Sequence, residues 1–202
     1  MAADKVIYLD NNATTMVAPE VYEAMEPYFT ELYGNPSSMH SFGGQVGVAV
    51  DRARQQVASL LGCDVAELVF TSCGTESDST AILSALKANP DKRHVITTRV
   101  EHPAVKNLCE NLGAMTGTKY RVTMLKVSED GLVDFDEYVK ALTEDTAIVS
   151  IMWANNETGV LFPVPEMAEA AKERGILFHT DAVQAVGKGS VQHFTALGES
   201  SV

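Results

Sequence analysis

From Leu68 to His179, short apolar runs alternate with stretches of helical periodicity, and this alternation leaves few architectures open to the chain. The runs Leu68 to Thr71, His94 to Thr98, Arg121 to Leu125, Ala147 to Trp153 and Ile176 to His179 have the length of strands. Helices are predicted between them: from Gly74 to about Leu86, Pro103 to about Met115, Phe135 to Leu142 and Pro165 to Arg174. Strands separated by helices return to the sheet by crossover, so the pattern predicts an α/β fold with a mainly parallel, doubly wound sheet. The order of the strands does not follow from it. Upstream, Asp10-Asn-Asn-Ala-Thr-Thr15 is too polar for a core and predicts an ordered arm or loop. Pro19 opens a helical stretch, Gly34-Asn-Pro-Ser-Ser38 breaks it, and a long helix is predicted from about Gly43. Its stripe of Val46, Val50, Ala53, Val57, Leu60 and Leu61 reads as core packing.

Open α/β sheets bind ligands beyond the carboxyl ends of their strands, so polar residues there are candidates for function. The run Gly175-Ile-Leu-Phe-His-Thr-Asp181 ends in a carboxylate, with Gln184 three residues on. A carboxylate at such a place is costly to desolvate unless a cation meets it, and a protonated heterocyclic nitrogen is one such cation. Equally, Asp181 could cap the next helix. Gly74 and Thr75 open a helix after a strand, where free amides can seat a phosphate; capping alone would also account for Thr75 and Ser77. His102 follows another strand, where an imidazole can lie against a flat ring or move a proton, or simply serve as a hydrogen-bonded structural residue. Asn155-Asn-Glu-Thr-Gly159 carries more polar groups than a turn needs, although an asparagine-rich turn ending at Gly159 fits it too. His179 and Asp181, two apart at a strand end, could instead share a metal with His102 or His40, as in a metal-dependent hydrolase.

A formal net charge of -12 argues against nucleic acid or an anionic membrane as partner, since no basic stripe could release counterions. No apolar run approaches the length of a membrane span, and the first residues lack the pattern of a signal peptide, so a cytoplasmic protein is expected. Cys63, Cys73 and Cys109 fit neither a disulfide framework nor a zinc pattern, and are expected to be reduced thiols, mostly buried, Cys73 included.

Asp10-Asn-Asn-Ala-Thr-Thr15, Gly34-Asn-Pro-Ser-Ser38 with His40, Thr71-Ser-Cys-Gly-Thr-Glu-Ser-Asp78, Glu101-His-Pro103, Asn155-Asn-Glu-Thr-Gly159 and His179-Thr-Asp-Ala-Val-Gln184 occur in series. Taken together, residues 6 to 188 resemble the amino-terminal half of a cysteine desulfurase of the nitrogen-fixation type, within the class V aminotransferase family. That resemblance implies the large domain of an aspartate aminotransferase-like fold, pyridoxal phosphate as cofactor, and a homodimer. It implies that Gly74 and Thr75 hold the cofactor phosphate, that His102 stacks on the pyridine ring and is catalytic, and that Asp181 meets the ring nitrogen. Gln184 would meet the phenolic oxygen, and Asn156 would lie beside the cofactor on the substrate side. The reaction implied takes sulfur from L-cysteine, leaves L-alanine, and passes a persulfide to an iron-sulfur scaffold protein. Other class V enzymes, such as selenocysteine lyases, share the pattern.

The chain departs from the family after Lys188. The Ser-Gly-His-Lys motif that carries the Schiff-base lysine has no counterpart in the tail, which contains no lysine. Neither that role nor that of the nucleophilic cysteine passes to Lys188, Cys63, Cys73 or Cys109. The expected organisation is an arm over 1–16, a helix and loop over 17–40, a partial cofactor-binding domain over 41–188, and a divergent tail over 189–202. A chain of this kind is expected to be inactive alone or to pair with a full-length homologue. It is also expected to leave apolar faces exposed.

Overall fold

The computed structural model describes residues 6–114 and 120–188, which leaves the tail after Lys188 outside the described residues. The chain divides into two compact units, Met1–Leu68 and Val69–Val202.

In the first unit, Pro19 and Pro27 each occupy a first helical turn, giving α1 (Pro19–Met25) and α2 (Pro27–Thr30). The long helix α3 (Ser41–Leu61) begins two residues before the predicted start. Its N-cap is His40, whose Nδ1 accepts the Gly43 amide at 3.1 Å. Gly43 must be glycine, because a Cβ there would overlap the Asn35 carbonyl; this close approach seats the Gly34 to Ser38 loop on the helix. Gly62, at φ 71°, ends α3 in the left-handed region. The predicted core stripe needs correction: Val46 is buried, but Ala53 and Leu60 are exposed. Helical periodicity specifies which face can be buried, whereas burial itself needs an element to cover that face.

The second unit holds a four-stranded parallel sheet in the order β2-β1-β3-β4, made of β1 (His94–Thr98), β2 (Arg121–Leu125), β3 (Thr146–Ser150) and β4 (Leu177–His179). Four helices connect or flank these strands: α4 (Gly74–Ala88), α5 (Pro103–Ala114), α6 (Phe135–Ala141) and α7 (Val164–Lys172). The central strands β1 and β3 are buried along their whole length, as expected of strands covered on both faces. Alternate residues feed two separate cores. Val95 and Ile148 pack with Ile82, Leu86, Val105 and Leu112 of α4 and α5. Ile96 and Val149 pack with Tyr138, Val164, Met167 and Ala171 of α6 and α7. The sheet is therefore doubly wound, as the alternation predicted. His94 lies buried at the amino end of β1, its ring bridging the hydroxyls of Thr146 (2.9 Å) and Thr123 (2.7 Å) across three strands. Burial pushes its pKa down to about 4, so it is a neutral structural crosslink at the end of the sheet away from the strands' carboxyl ends.

Two strand predictions need correction. Leu68 to Thr71 does not join the sheet among the described residues, and Val69 is 79% exposed. An apolar run shows that a segment could be buried in a ladder but supplies no partner for it. The regular part of β3 stops at Ser150 rather than Trp153, yet the chain continues beside β4: the Ile151 amide donates to the His179 carbonyl at 3.1 Å, and the Trp153 amide to the Asp181 carbonyl at 2.9 Å. Those bonds fix the backbone of the turn that follows β4. No described helix is long and apolar enough to cross a membrane.

Candidate active site

Because the four strands are parallel, their carboxyl ends share one edge of the sheet, and three polar turns leave from it after β1, β3 and β4. The amino terminus of α4 joins them: a Cβ built on Gly74 would lie 3.8 Å from Cγ2 of Val183, in the turn after β4. That spacing is ordinary contact, so the fold tolerates alanine at position 74. Gly74→Ala is accordingly expected to leave stability unchanged or raise it by up to about 1 kcal/mol, while the added methyl hinders a phosphate at the helix terminus. Thermal unfolding and a titration with pyridoxal 5′-phosphate measure the two effects separately.

At the α4 terminus, Cys73 is the N-cap and makes no side-chain capping bond. It is exposed, which corrects the expectation of a buried thiol; of the three free cysteines only Cys109 is buried. The amide of Glu76, the hydroxyl of Ser72 and the amide of Thr75 lower the Cys73 pKa, so this terminus already stabilises negative charge. Thr71 Oγ1 and Ser77 Oγ share a hydrogen bond at 2.6 Å, and the hydroxyl that accepts in it is free to donate to the Cys73 carbonyl, which lies within reach of both. Ser77 is thus used by the loop, whereas the exposed Thr75 hydroxyl makes no hydrogen bond among the described residues. Glu76 is turned back onto Ser72, accepting from its amide at 2.8 Å and its hydroxyl at 2.6 Å.

After β1, His102 precedes the first turn of α5, and its Nδ1 accepts the Ala104 amide at 3.2 Å. That bond orients the ring and leaves the proton of the neutral imidazole on Nε2. Beside it, Glu101 is only 5% exposed: its Oε1 accepts the Thr98 hydroxyl at 2.7 Å, and its two oxygens accept the Met152 amide at 3.2 and 3.1 Å. Burial, against those hydrogen bonds, raises its pKa to about 7, and the charges of Asp181 and Asp78 add to the rise. The turn after β3 is tied to the same place. Asn155 donates to the Val100 carbonyl at 3.0 Å, and its Oδ1 accepts from the amides of Glu157 and Thr158 and the Thr158 hydroxyl. The turn reading is therefore right for Asn155. Asn156 is half-buried and donates to Glu157 at 3.0 Å.

After β4, Asp181 is half-buried, and its Oδ1 accepts the Val183 amide at 3.1 Å, so it does shape its own turn. Gln184 Oε1 accepts from the Lys188 ammonium. Two residues before Asp181, His179 Nε2 lies 3.5 Å from Oδ1 of Asp78, and its Nδ1 is 2.9 Å from Ser150 Oγ. Asp78 is 6% exposed on the inner face of α4; burial first, then the Asp181 charge, raise its pKa to about 6, while His102 acts against the rise. With both nitrogens of His179 engaged, it is poorly placed as a metal ligand. Among the described residues no group of three histidine, cysteine or carboxylate side chains is arranged to hold a metal. His40 serves as the cap of α3.

Gly74, Thr75, His102, Asn156, Asp181 and Gln184 thus all lie in the second unit, on the α4 terminus and the turns after β1, β3 and β4. Sequence reasoning did not single out Asp78, Glu101 or Ser150 as site residues. A signal existed for Asp78: it heads the buried face of α4 that continues through Ile82, Ala85 and Leu86, and a charge on an apolar stripe requires a reason. The chemistry of the site suits a flat ligand with an anion at one end and a cation at the other. Pyridoxal phosphate fits this set: amides at the α4 terminus for its phosphate, carboxylates for a protonated ring nitrogen, and an oriented imidazole for its ring.

Residues 7–195 match the family described as aminotransferase class-V. The cysteine desulfurase of Trichormus azollae is 62% identical over 183 residues, covering 91% of this chain and 45% of the relative. Among solved structures, a NifS-like protein superposes with a TM-score of 0.85 at 39% identity, over 90% of this chain and 50% of the other. A structure described as SspA in complex with cysteine has a TM-score of 0.85 at 34% identity, covering 93% and 54%. The chain spans about half the length of the relatives it matches.

Proposed function

Since the chain belongs to the aminotransferase class-V family, we propose that it forms the ring-binding and phosphate-binding part of a pyridoxal phosphate site, and that the whole protein is a cysteine desulfurase. The observation that supports this reading is the proximity of the α4 terminus to the turn after β4: a Cβ built on Gly74 would lie 3.8 Å from Val183, two residues beyond Asp181. Bound there, the cofactor would supply an electron sink for negative charge at the substrate's Cα.

The chain's own residues then have distinct tasks. The amides at Gly74 and Thr75, with the Thr75 hydroxyl, bind the phosphate. Asp181 holds the proton on the ring nitrogen through the carboxylate oxygen not used by Val183. His102, oriented through Nδ1, lies against the ring and keeps an N–H at Nε2 available for proton transfer. Gln184 meets the phenolic oxygen through its Nε2 amide, its Oε1 being held by Lys188, and Asn156 lies on the side where substrate enters.

L-cysteine as substrate is supported by the names of the relatives and by the cysteine described in the SspA structure. L-alanine as product, transfer of the persulfide to an iron-sulfur scaffold, a homodimer and a cytoplasmic location belong to the same proposal. So does a division into an arm over 1–16, a lead-in over 17–40 and a cofactor domain from 41 to 188. The residues assigned here do not include a lysine that would bond the cofactor covalently or a cysteine that would accept sulfur.

Titration of the purified chain with pyridoxal 5′-phosphate, read by absorbance and followed by borohydride reduction and mass spectrometry, tests the cofactor assignment. Saturable binding with an unmodified mass is expected. Absence of saturation up to about 1 mM, an affinity weaker than roughly 4 kcal/mol, would refute it.

A further inference from the structure

We propose that Ser150, His179 and Asp78 form a relay of positioning residues that fixes the end of β4 and so aims the Asp181 carboxylate at the cationic nitrogen of an aromatic ligand; this rests on the pyridoxal phosphate reading above. The three residues come from three elements that meet behind Asp181: Ser150 ends β3, His179 ends β4, and Asp78 lies one turn into α4 from the phosphate seat. The imidazole is the centre of the relay, 2.9 Å from the Ser150 hydroxyl through Nδ1 and 3.5 Å from Asp78 through Nε2.

The protonation states decide how the relay is wired. Burial lowers the His179 pKa, with the Asp181 charge acting against it, so the imidazole is neutral and its contact with Asp78 is that of a dipole with a charge. Charged or titratable groups that bear on the pair come from two turns of the site: Asp181 after β4, and Glu101 and His102 after β1. Above about pH 6 Asp78 is a carboxylate, which no imidazole lone pair can face at 3.5 Å without repulsion. The proton of His179 is therefore on Nε2, pointing to Asp78, and the Ser150 hydroxyl donates to Nδ1. This wiring holds the His179 ring in one orientation and ties β4 to α4 just before the chain reaches Asp181.

The test uses the whole chain in four forms: wild type, Asp78→Asn, Asp78→Ala and Ser150→Ala. Without ligand, nitrogen-15 spectra of labelled histidine are expected to show the Nε2–H form of His179 in wild type and in Asp78→Asn, whose Oδ1 still accepts. A mixture of tautomers is expected in Asp78→Ala, whereas Ser150→Ala, which keeps the carboxylate, is expected to retain the Nε2–H form with a displaced Nδ1 signal. With ring-labelled pyridoxal 5′-phosphate, Asp78→Ala is expected to bind about tenfold more weakly and to shift the ring nitrogen signal toward the unprotonated form, with Asp78→Asn recovering most of both. A folded Asp78→Ala with the ring signal of wild type would overturn the proposal. An Nδ1–H form of His179 in wild type would overturn it without any ligand, which also covers the case in which Asp78→Ala does not fold. Failure of wild type to bind the cofactor, with His179 in the expected tautomer, would refute the cofactor reading and the aiming role together while leaving the wiring in place.

Discussion

Asp181→Asn is expected to weaken the binding of pyridoxal 5′-phosphate by about a hundredfold and to leave the ring nitrogen of what still binds unprotonated. A carboxylate that meets a cation in a half-buried place makes a charge-assisted hydrogen bond, and losing one costs about 1.5–3 kcal/mol. Asparagine keeps an oxygen for the Val183 amide, so the turn is retained and the loss belongs to the charge. The ligand-free protein should respond in the other direction. The Asp181 charge raises the pKa of both Asp78 and Glu101, so removing it relieves two buried carboxyls and should leave the free chain no less stable. A titration read by absorbance, together with urea unfolding followed by Trp153, separates the two effects. Equal affinity for the two proteins would remove Asp181 from the site.

Glu101→Gln should change how stability depends on pH. Burial raises the Glu101 pKa from 4.5 to about 7, so between those values the folded state binds more protons than the unfolded state. Stability from this group is therefore fully present below about pH 4.5 and is lost as pH rises through about 7. Glutamine does not titrate. The difference in unfolding free energy between wild type and variant should consequently move by about 2–3 kcal/mol across that window, in favour of the variant at high pH. Trp153 is the single tryptophan and is buried in the same unit, so its fluorescence in urea follows the relevant transition. A pH-independent difference would mean that Glu101 is not held away from water.

Local chemistry explains why much of the site is legible in the amino-acid sequence. His102 and Asp181 are each held by backbone amides two residues ahead, and the turn at Asn155 is closed by its own side chain. Such bonds depend on neighbours along the chain, and these are visible in a sequence. Glu101 and Asp78 are harder to assign because their partners are remote: Glu101 meets the Met152 amide from the segment after β3, and Asp78 meets His179 from another element. Cys73 also departs from expectation. A small thiol is usually buried, but Cys73 is the exposed N-cap of α4.

By itself the sequence determined the alternation of strands and helices, their parallel crossovers, and the placing of polar residues at the carboxyl ends of strands, because periodicity and local hydrogen bonding act over a few residues. The tertiary structure alone decided the order β2-β1-β3-β4, the exclusion of Leu68 to Thr71 from the sheet, and the meeting of Asp78, His179 and Ser150 behind Asp181. Those features depend on which distant surfaces cover one another, and on the rise in the cost of a buried charge when water is replaced by protein.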